Sequence, residues 1–298
     1  MRLAFHVYWK SQLGQGGEGT VLRARASDGR IVALKVSNAR TWLEARRSLM
    51  REYERHQRAA GNGVVRIIGY NFDDEIPFIA YELAVQGTLA DEMARYRLAN
   101  LVYHPTVALQ RIRSVLAALV AVHDRGVVHR DVKPSNLVFI QDEIKLIDFG
   151  LGRTLARPAA FQTIAFVGTA QYASPEQFGP FGYDHRADLY AVGVILYELL
   201  MGRRPRRPRI AMHSPSIRWP NITTRLNNLV WFLLADAPQH RPASAAIALS
   251  LVDAALDEYA RIAIAERART KLKQQRRLWA GAVLANLQRR VAAQRATR

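Results

Sequence analysis

The chain has 298 residues, 49% of them apolar, with no cysteine and a formal net charge of +18. That length suits one large domain or two lobes sharing a core, and the apolar content argues against wholesale disorder. The absence of cysteine excludes disulfides and thiolate metal sites and fits a reducing compartment. The start, Met1 to His6, lacks the long apolar run of a secretory leader. The longest uncharged stretch of the tail, the eleven residues 278–288, is too short to span a bilayer. A soluble, cytoplasmic protein is expected. Charge is uneven: residues 251–298 carry 11 Lys/Arg against 4 Asp/Glu, and Arg203-Arg204-Pro205-Arg206-Arg207-Pro208-Arg209 forms a second basic cluster. Such a surface attracts polyanions or phosphorylated partners, although a basic solvated face needs no dedicated partner.

In chain order, residues 8–37 read as three short strands, the last being Ile31 to Val36 after the Asp28-Gly29 turn. A charged helix follows from Trp42 to Ala60 and stops at Gly61-Asn62-Gly63. Val64 to Gly69 and Pro77 to Leu83 read as two more strands. Helical patterns then dominate: Ala108 to Asp124, Asp188 to Met201, Arg225 to Leu234 and Ser244 to Tyr259. A strand-rich first third and a helical remainder predict an α+β fold with two lobes, residues 1–84 and 85–255. The hinge between them falls near Glu82 to Gly87. Residues 256–298 form a basic helical tail, with a break expected near Tyr259 and a second helical segment beyond it.

Gly14-Gln15-Gly16-Gly17-Glu18-Gly19-Thr20-Val21 is a glycine-rich loop followed by a strand, so its backbone N–H groups can approach phosphates. A dinucleotide-binding loop would open a helix instead. Sixteen residues past Gly19, Lys35 stands on the third strand, placed to bridge two phosphates of ATP. Its carboxylate partner comes from the next helix, with Glu52 preferred and Glu54 second. Taken singly, these residues are also what a surface lysine and a solvated glutamate look like.

The densest signal is His129-Arg130-Asp131-Val132-Lys133-Pro134-Ser135-Asn136, with Asp148-Phe149-Gly150 beginning twelve residues after Asn136. Asp131 is the candidate base or hydroxyl-orienting group, and Lys133 the cation for the γ-phosphate. Asn136 and Asp148 are hard oxygen ligands of the kind magnesium accepts when it is shared with phosphates. His129 reads as a packed, supporting residue.

These motifs resemble the eukaryotic-type protein kinase family over about residues 8–255, and bacterial serine/threonine members most of all. Gly168-Thr169-Ala170-Gln171-Tyr172-Ala173-Ser174-Pro175-Glu176 is similar to the family's substrate-docking strip. Thr169 and Lys133 match the serine/threonine pattern. Asp188 corresponds to the aspartate that braces the catalytic loop, and Arg241 to the arginine that pairs with Glu176. The resemblance implies an adenine site with Val21 and Ala33 as roof and Val138 as floor. It also implies hinge contacts from the backbone of Glu82 and Ala84, with Tyr81 as gatekeeper. ATP and magnesium are the implied cofactors and a protein hydroxyl the implied acceptor. Arg130 is placed to receive a phosphate on the segment between Asp148 and Glu176, for which Thr163 is the candidate autophosphorylation site and Thr154 the next.

Three departures from the family pattern stand out. His56 occupies a place where the family packs leucine or methionine, and serves as a substitute packer or a pH-sensitive group. Only 39 positions separate Gly202 from Arg241, so a helix that commonly docks substrates is trimmed or absent. Ser135 stands where kinases that favour basic substrates often have glutamate, which points to acidic or phosphorylated substrates. In the tail, Leu272, Trp279, Val283, Leu287 and Val291 recur at helical spacing among arginines. Docking on the kinase body or a partner helix, on an anionic membrane, or on nucleic acid are its three readings. The alternatives to an active kinase are a pseudokinase scaffold acting through this tail and a small-molecule phosphotransferase. Oligomeric state is left open.

Overall fold

A computed structural model of the chain describes residues 5–16, 19–141, 143–149, 171–179, 183–206 and 212–296. Strands β1 (Phe5–Gln15), β2 (Gly19–Ala26) and β3 (Ile31–Ser37) form an antiparallel meander. Strands β4 (Ile67–Asn71) and β5 (Phe78–Glu82) complete a sheet of order β1-β2-β3-β5-β4. The alternation of β3 sends Val32 and Leu34 into a small core with Ala24, Phe78 and Ala80. Ala33 and Lys35 therefore face the other way, toward the cleft.

Helix α1 (Trp42–Ala59) starts where the Thr41 side chain accepts the Glu44 N–H at 3.3 Å. It buries Leu49, Glu52, His56 and Ala59, a stripe at helical spacing, so Glu52 faces the sheet. Glu54 lies on the exposed side of the same helix, which settles the carboxylate choice in favour of Glu52.

The second lobe is built around α3 (Pro105–His123) and α4 (Arg186–Met201). Proline opens α3, where its missing N–H costs nothing. Residues Ala187 to Met201 of α4 are all buried, and Gly202 ends the helix in the left-handed region at φ 72°. Helix α5 (Thr224–Leu233) packs on α4, and the first turns of α6 (Ala245–Ala296) pack on α3. The lobes meet through backbone hydrogen bonds, Val65 N–H to the Leu146 carbonyl at 3.1 Å and Leu146 N–H to the Gly63 carbonyl at 2.8 Å.

The structure corrects several sequence expectations. The strand expected from Val64 begins at Ile67, because Val64 and Val65 are engaged with Leu146. Helix α2 (Leu89–Leu98) and the hairpin of β6 (Leu137–Ile140) and β7 (Glu143–Leu146) were not anticipated. The helix expected to break near Tyr259 runs on for 52 residues, about 78 Å at 1.5 Å per residue. Between Ala243 and Arg298 there is no proline, and Gly281 alone is too weak a stop. Residues 260–275 are exposed, so this part of the helix does not dock on the body of its own chain. Between α4 and α5 the described residues contain only a short 3-10 turn, Pro215–Ile217, which matches the expected trimming.

Gly193 allows α4 and α5 to approach: a Cβ there would lie 2.7 Å from the Leu233 Cβ and 3.0 Å from its carbonyl carbon. Gly193→Ala is therefore expected to destabilise the protein by about 1–3 kcal/mol. The check is its thermal midpoint against that of the parent chain.

Candidate active site

A cleft of about 670 Å³ opens between the lobes. Gly14, Gly16, Gly19, Val21, Ala33, Lys35 and Glu52 line it from the first lobe, and Glu82 and Ala84 from the hinge. Asp131, Lys133, Asn136, Val138 and Asp148 line it from the second lobe. Every site residue expected from the sequence except Thr163 thus reaches one cavity. Thr163, Thr154, Thr169 and Gly150 lie outside the described residues.

The glycine loop joins the antiparallel strands β1 and β2, and at its base Gly16 N–H donates to the Gly19 carbonyl at 2.9 Å. Side chains would obstruct it: a Cβ at Gly19 would sit 2.5 Å from the Val36 carbonyl oxygen. Asn38 holds the loop from below, donating to the Gly16 carbonyl at 3.0 Å and accepting the Thr20 hydroxyl at 2.9 Å. No motif in the sequence flags that residue.

Lys35 is 7% exposed, and its Nζ lies 2.7 Å from Glu52 Oε1 and 3.2 Å from Asp148 Oδ1. Burial works against the ammonium, but the carboxylates of Asp148 and Glu52 outweigh it and hold the lysine above its ordinary value. Asp148 is the mirror case: burial opposes its charge, yet Lys35 keeps it below the usual carboxylate range. Burial raises Glu52 in spite of Lys35. The gatekeeper Tyr81 donates its hydroxyl to the same Glu52 oxygen at 2.9 Å. The hydrogen bond gives Tyr81 a positioning role in addition to the gatekeeper place that the resemblance implies. The carboxylate of Glu82 accepts Lys145 Nζ at 2.9 Å and the Arg66 N–H at 2.8 Å, tying the hinge to β7 and to the approach to β4.

The catalytic loop hangs on Asp188. Its carboxylate accepts the N–H of His129 at 2.9 Å, the N–H of Arg130 at 2.8 Å and His123 Nε2 at 2.9 Å. These bonds hold Arg130 at φ 71°, an uncommon conformation for a side chain of that size. His129 donates from Nε2 to the Ile147 carbonyl at 3.0 Å, leaving Nδ1 to accept the Asp131 N–H at 3.3 Å. It is a support, as expected. Asp131 Oδ2 sits 2.7 Å from Lys133 Nζ.

Asn136 Nδ2 donates to the Asp131 carbonyl at 2.9 Å and to its Oδ2 at 3.2 Å. Its Nδ2 is thereby committed, which leaves the amide oxygen as its ligand atom. Asn136 and Asp148 thus offer two hard oxygens at one cleft. Among the described residues no three His, Cys, Asp or Glu side chains cluster as a closed metal cage. Two protein oxygens beside a phosphate site suit a divalent ion that takes its remaining ligands from phosphates and water.

His56 is 3% exposed and donates from Nε2 to the Val65 carbonyl at 2.6 Å. It meets Phe149 edge-on at 5.5 Å, and Phe149 in turn meets His129 at 4.8 Å. Burial pushes its pKa down to about 4, so the neutral ring packs this column across the physiological range. The substitute-packer reading holds. Farther along the chain, Arg241 grips Glu176 with two bonds of 2.5 and 2.8 Å, as the sequence implied.

Residues 8–252 match the protein kinase domain family. The chain belongs to that family. It is similar to the serine/threonine-protein kinase PknL of Mycobacterium bovis, 36% identical over 202 residues, covering 66% of this chain and 49% of that one. Similarity to the serine/threonine-protein kinase Pkn1 of Myxococcus xanthus is 32% over 274 residues, 84% of this chain and 38% of the relative. Serine/threonine-protein kinase A of Synechocystis is 32% identical over 214 residues, 64% of this chain and 41% of that one. This kinase chain therefore spans about half the length of these relatives, or less.

Tyr81→Phe removes one of two donors to Glu52 Oε1 and is expected to lower kcat/KM for ATP about fivefold, the equivalent of one hydrogen bond of about 1 kcal/mol. Steady-state kinetics against the parent chain check this. His56 must take up a proton on unfolding below its ordinary pKa, so its contribution is intact above about pH 6.5 and is lost as pH falls toward 4. The loss is on the order of 3 kcal/mol. Chemical denaturation at a series of pH values is expected to show that slope, and His56→Leu to flatten it.

Proposed function

We propose that the protein is an ATP- and magnesium-dependent protein kinase that transfers the γ-phosphoryl group to serine or threonine hydroxyls of protein substrates. The observation that carries this reading is the convergence of Lys35, Glu52, Asp131, Lys133, Asn136 and Asp148 on one cleft beneath a glycine loop. Lys35, held by Glu52, orients the α- and β-phosphates. Asn136 and Asp148 hold magnesium, which when bound spreads the charge of the phosphates. Asp131 orients the acceptor hydroxyl and takes its proton as the hydroxyl oxygen bonds to the γ-phosphorus and ADP leaves. Lys133 balances charge on the phosphoryl group in flight.

A pseudokinase scaffold is disfavoured because none of these groups is replaced. A small-molecule phosphotransferase is disfavoured by Lys133 and by the Ser174-Pro175-Glu176 strip, which is anchored to Arg241 and suits a polypeptide. Acidic or phosphorylated substrates fit the basic surface and Ser135. For the exposed end of α6, a partner helix suits Leu272, Leu278 and Trp279, which are 51%, 68% and 72% exposed. The cytoplasm, with its reducing conditions and ATP, is the proposed location.

The test is transfer from γ-labelled ATP, with Asp131→Asn as the control. The parent chain should label protein, and the variant should lose about 10²–10⁴-fold in rate. Equal labelling by both would remove Asp131 from the chemistry. Label appearing only on a small molecule would move the protein to the other phosphotransferase class.

A further inference from the structure

The cleft continues past the catalytic loop, and this inference rests on the kinase reading above. Tyr172, Gln177 and Phe178 line that end, in the same cavity as Asp131. Beneath them lies Glu198 of α4, 5% exposed. Its carboxylate has two partners: Tyr172 donates its hydroxyl to Oε2 at 2.6 Å, and the Arg97 guanidinium stands 3.6 Å from Oε1. Burial and Glu198 hold the Tyr172 phenol well above its ordinary range, so the hydroxyl remains a donor. A buried carboxylate that already holds a phenol and a guanidinium is a weaker partner for a substrate cation.

On top of the same tyrosine sits a cation. The Arg204 guanidinium carbon lies 5.8 Å from the centre of the Tyr172 ring, a cation–π contact that holds the side chain against a residue of the cleft wall. It arrives there because α4 ends in the left-handed turn at Gly202, two residues earlier. Arg203, Arg204 and Arg206 are all exposed. Of the other acids lining the cavity, Asp91 accepts the N–H and hydroxyl of Thr88 at 2.8 and 2.7 Å, and Asp131 is paired with Lys133 at 2.7 Å. Ser135, also in the cavity, is neutral. The free charge at this end is therefore positive.

We propose that Arg204, seated on Tyr172, is a specificity-determining residue that receives a carboxylate or phosphate side chain close to the acceptor hydroxyl of the substrate. Arg97 contributes by offsetting the charge of Glu198 and Tyr172 by hydrogen-bonding it, which weakens its competition for the arginine. Carboxylate and phosphate share this chemistry, and a doubly charged phosphate forms more charge-assisted bonds with a planar guanidinium.

The experiment uses the full chain and matched peptides in which alanine, aspartate, phosphoserine or lysine stands at each position around one acceptor. At one such position kcat/KM should rise about tenfold from alanine to aspartate, carried by KM, and fall for lysine. A larger gain for phosphoserine than for aspartate would assign the site to primed substrates, and equal gains to acidic ones. Arg204→Glu should reverse the ranking of aspartate and lysine, and Arg204→Lys should preserve it in weaker form. Retention of the aspartate preference by Arg204→Glu would overturn the proposal, as would a parent chain that favours lysine. Absence of transfer both to peptides and to the chain itself would instead overturn the kinase reading on which it rests.

Discussion

The working cleft depends on one buried cation. Lys35 stands on β3 with almost no access to water, and a charge in that position is tolerable only when it is paired. Its two partners come from different parts of the molecule: Glu52 from α1 and Asp148 from the segment after β7 in the other lobe. Loss of one carboxylate leaves Lys35 a single partner, and loss of both would bury an uncompensated charge at a cost of about 3–5 kcal/mol. The pair thus fixes where α1 lies and how the lobes face each other, as well as serving the phosphates. Tyr81 adds a second donor to the same oxygen of Glu52, so the wall behind the adenine site and the position of α1 are set together.

A second constraint holds the chemistry in place from below. Arg130 and Asp148 both sit in the left-handed region, at φ 71° and 59°, flanking the loop that presents Asp131 and Asn136. Conformations of this kind cost on the order of 1 kcal/mol or more each and need support from around them. Asp188 supplies it at Arg130 by accepting two successive backbone N–H groups, and α4, buried along its length, holds Asp188 rigid. At Asp148 the tie is through the side chain, which accepts Lys35 Nζ at 3.2 Å. Two other non-glycine residues of this lobe, Asn100 and Gln141, share the left-handed region at φ 53° and 51°, but only Arg130 and Asp148 do so beside the cleft.

Much of this could be read from the chain because phosphate chemistry demands particular side chains at particular intervals. Glycines before β2, a lysine on β3 and oxygen ligands around a short turn leave few alternatives. The extent of helix α1 was legible, with Gly61 marking its end, while the Thr41 cap at its start emerged only in the structure. What escaped notice had weaker local signatures. Strands β6 and β7 are four residues each, and Leu137-Val138-Phe139-Ile140 reads equally as a piece of buried helix. Helix α2 is short and charged, with a capping box that uses aspartate at Asp91 in place of the usual glutamate or glutamine. Tyr81 with Glu52, Glu198 with Arg97, and Arg204 with Tyr172 are contacts between distant segments whose residues have common surface or core roles, so spacing carries no trace of them. The straight run of α6 was misjudged in the opposite sense: a break was expected where the residues contain no breaker.

Helix α6 gives the protein an unusual outline. Among the residues whose burial is described, packing ends near Tyr259, and the backbone helix continues to Ala296, roughly 55 Å farther at 1.5 Å per residue. A compact body of this size has a radius of gyration of only about 18 Å. Anything fastened to the far end is thus carried at more than a full body radius from the phosphates, on a stiff spoke. Such an attachment acts by restricting the volume the catalyst explores, and it leaves the contacts inside the cleft untouched.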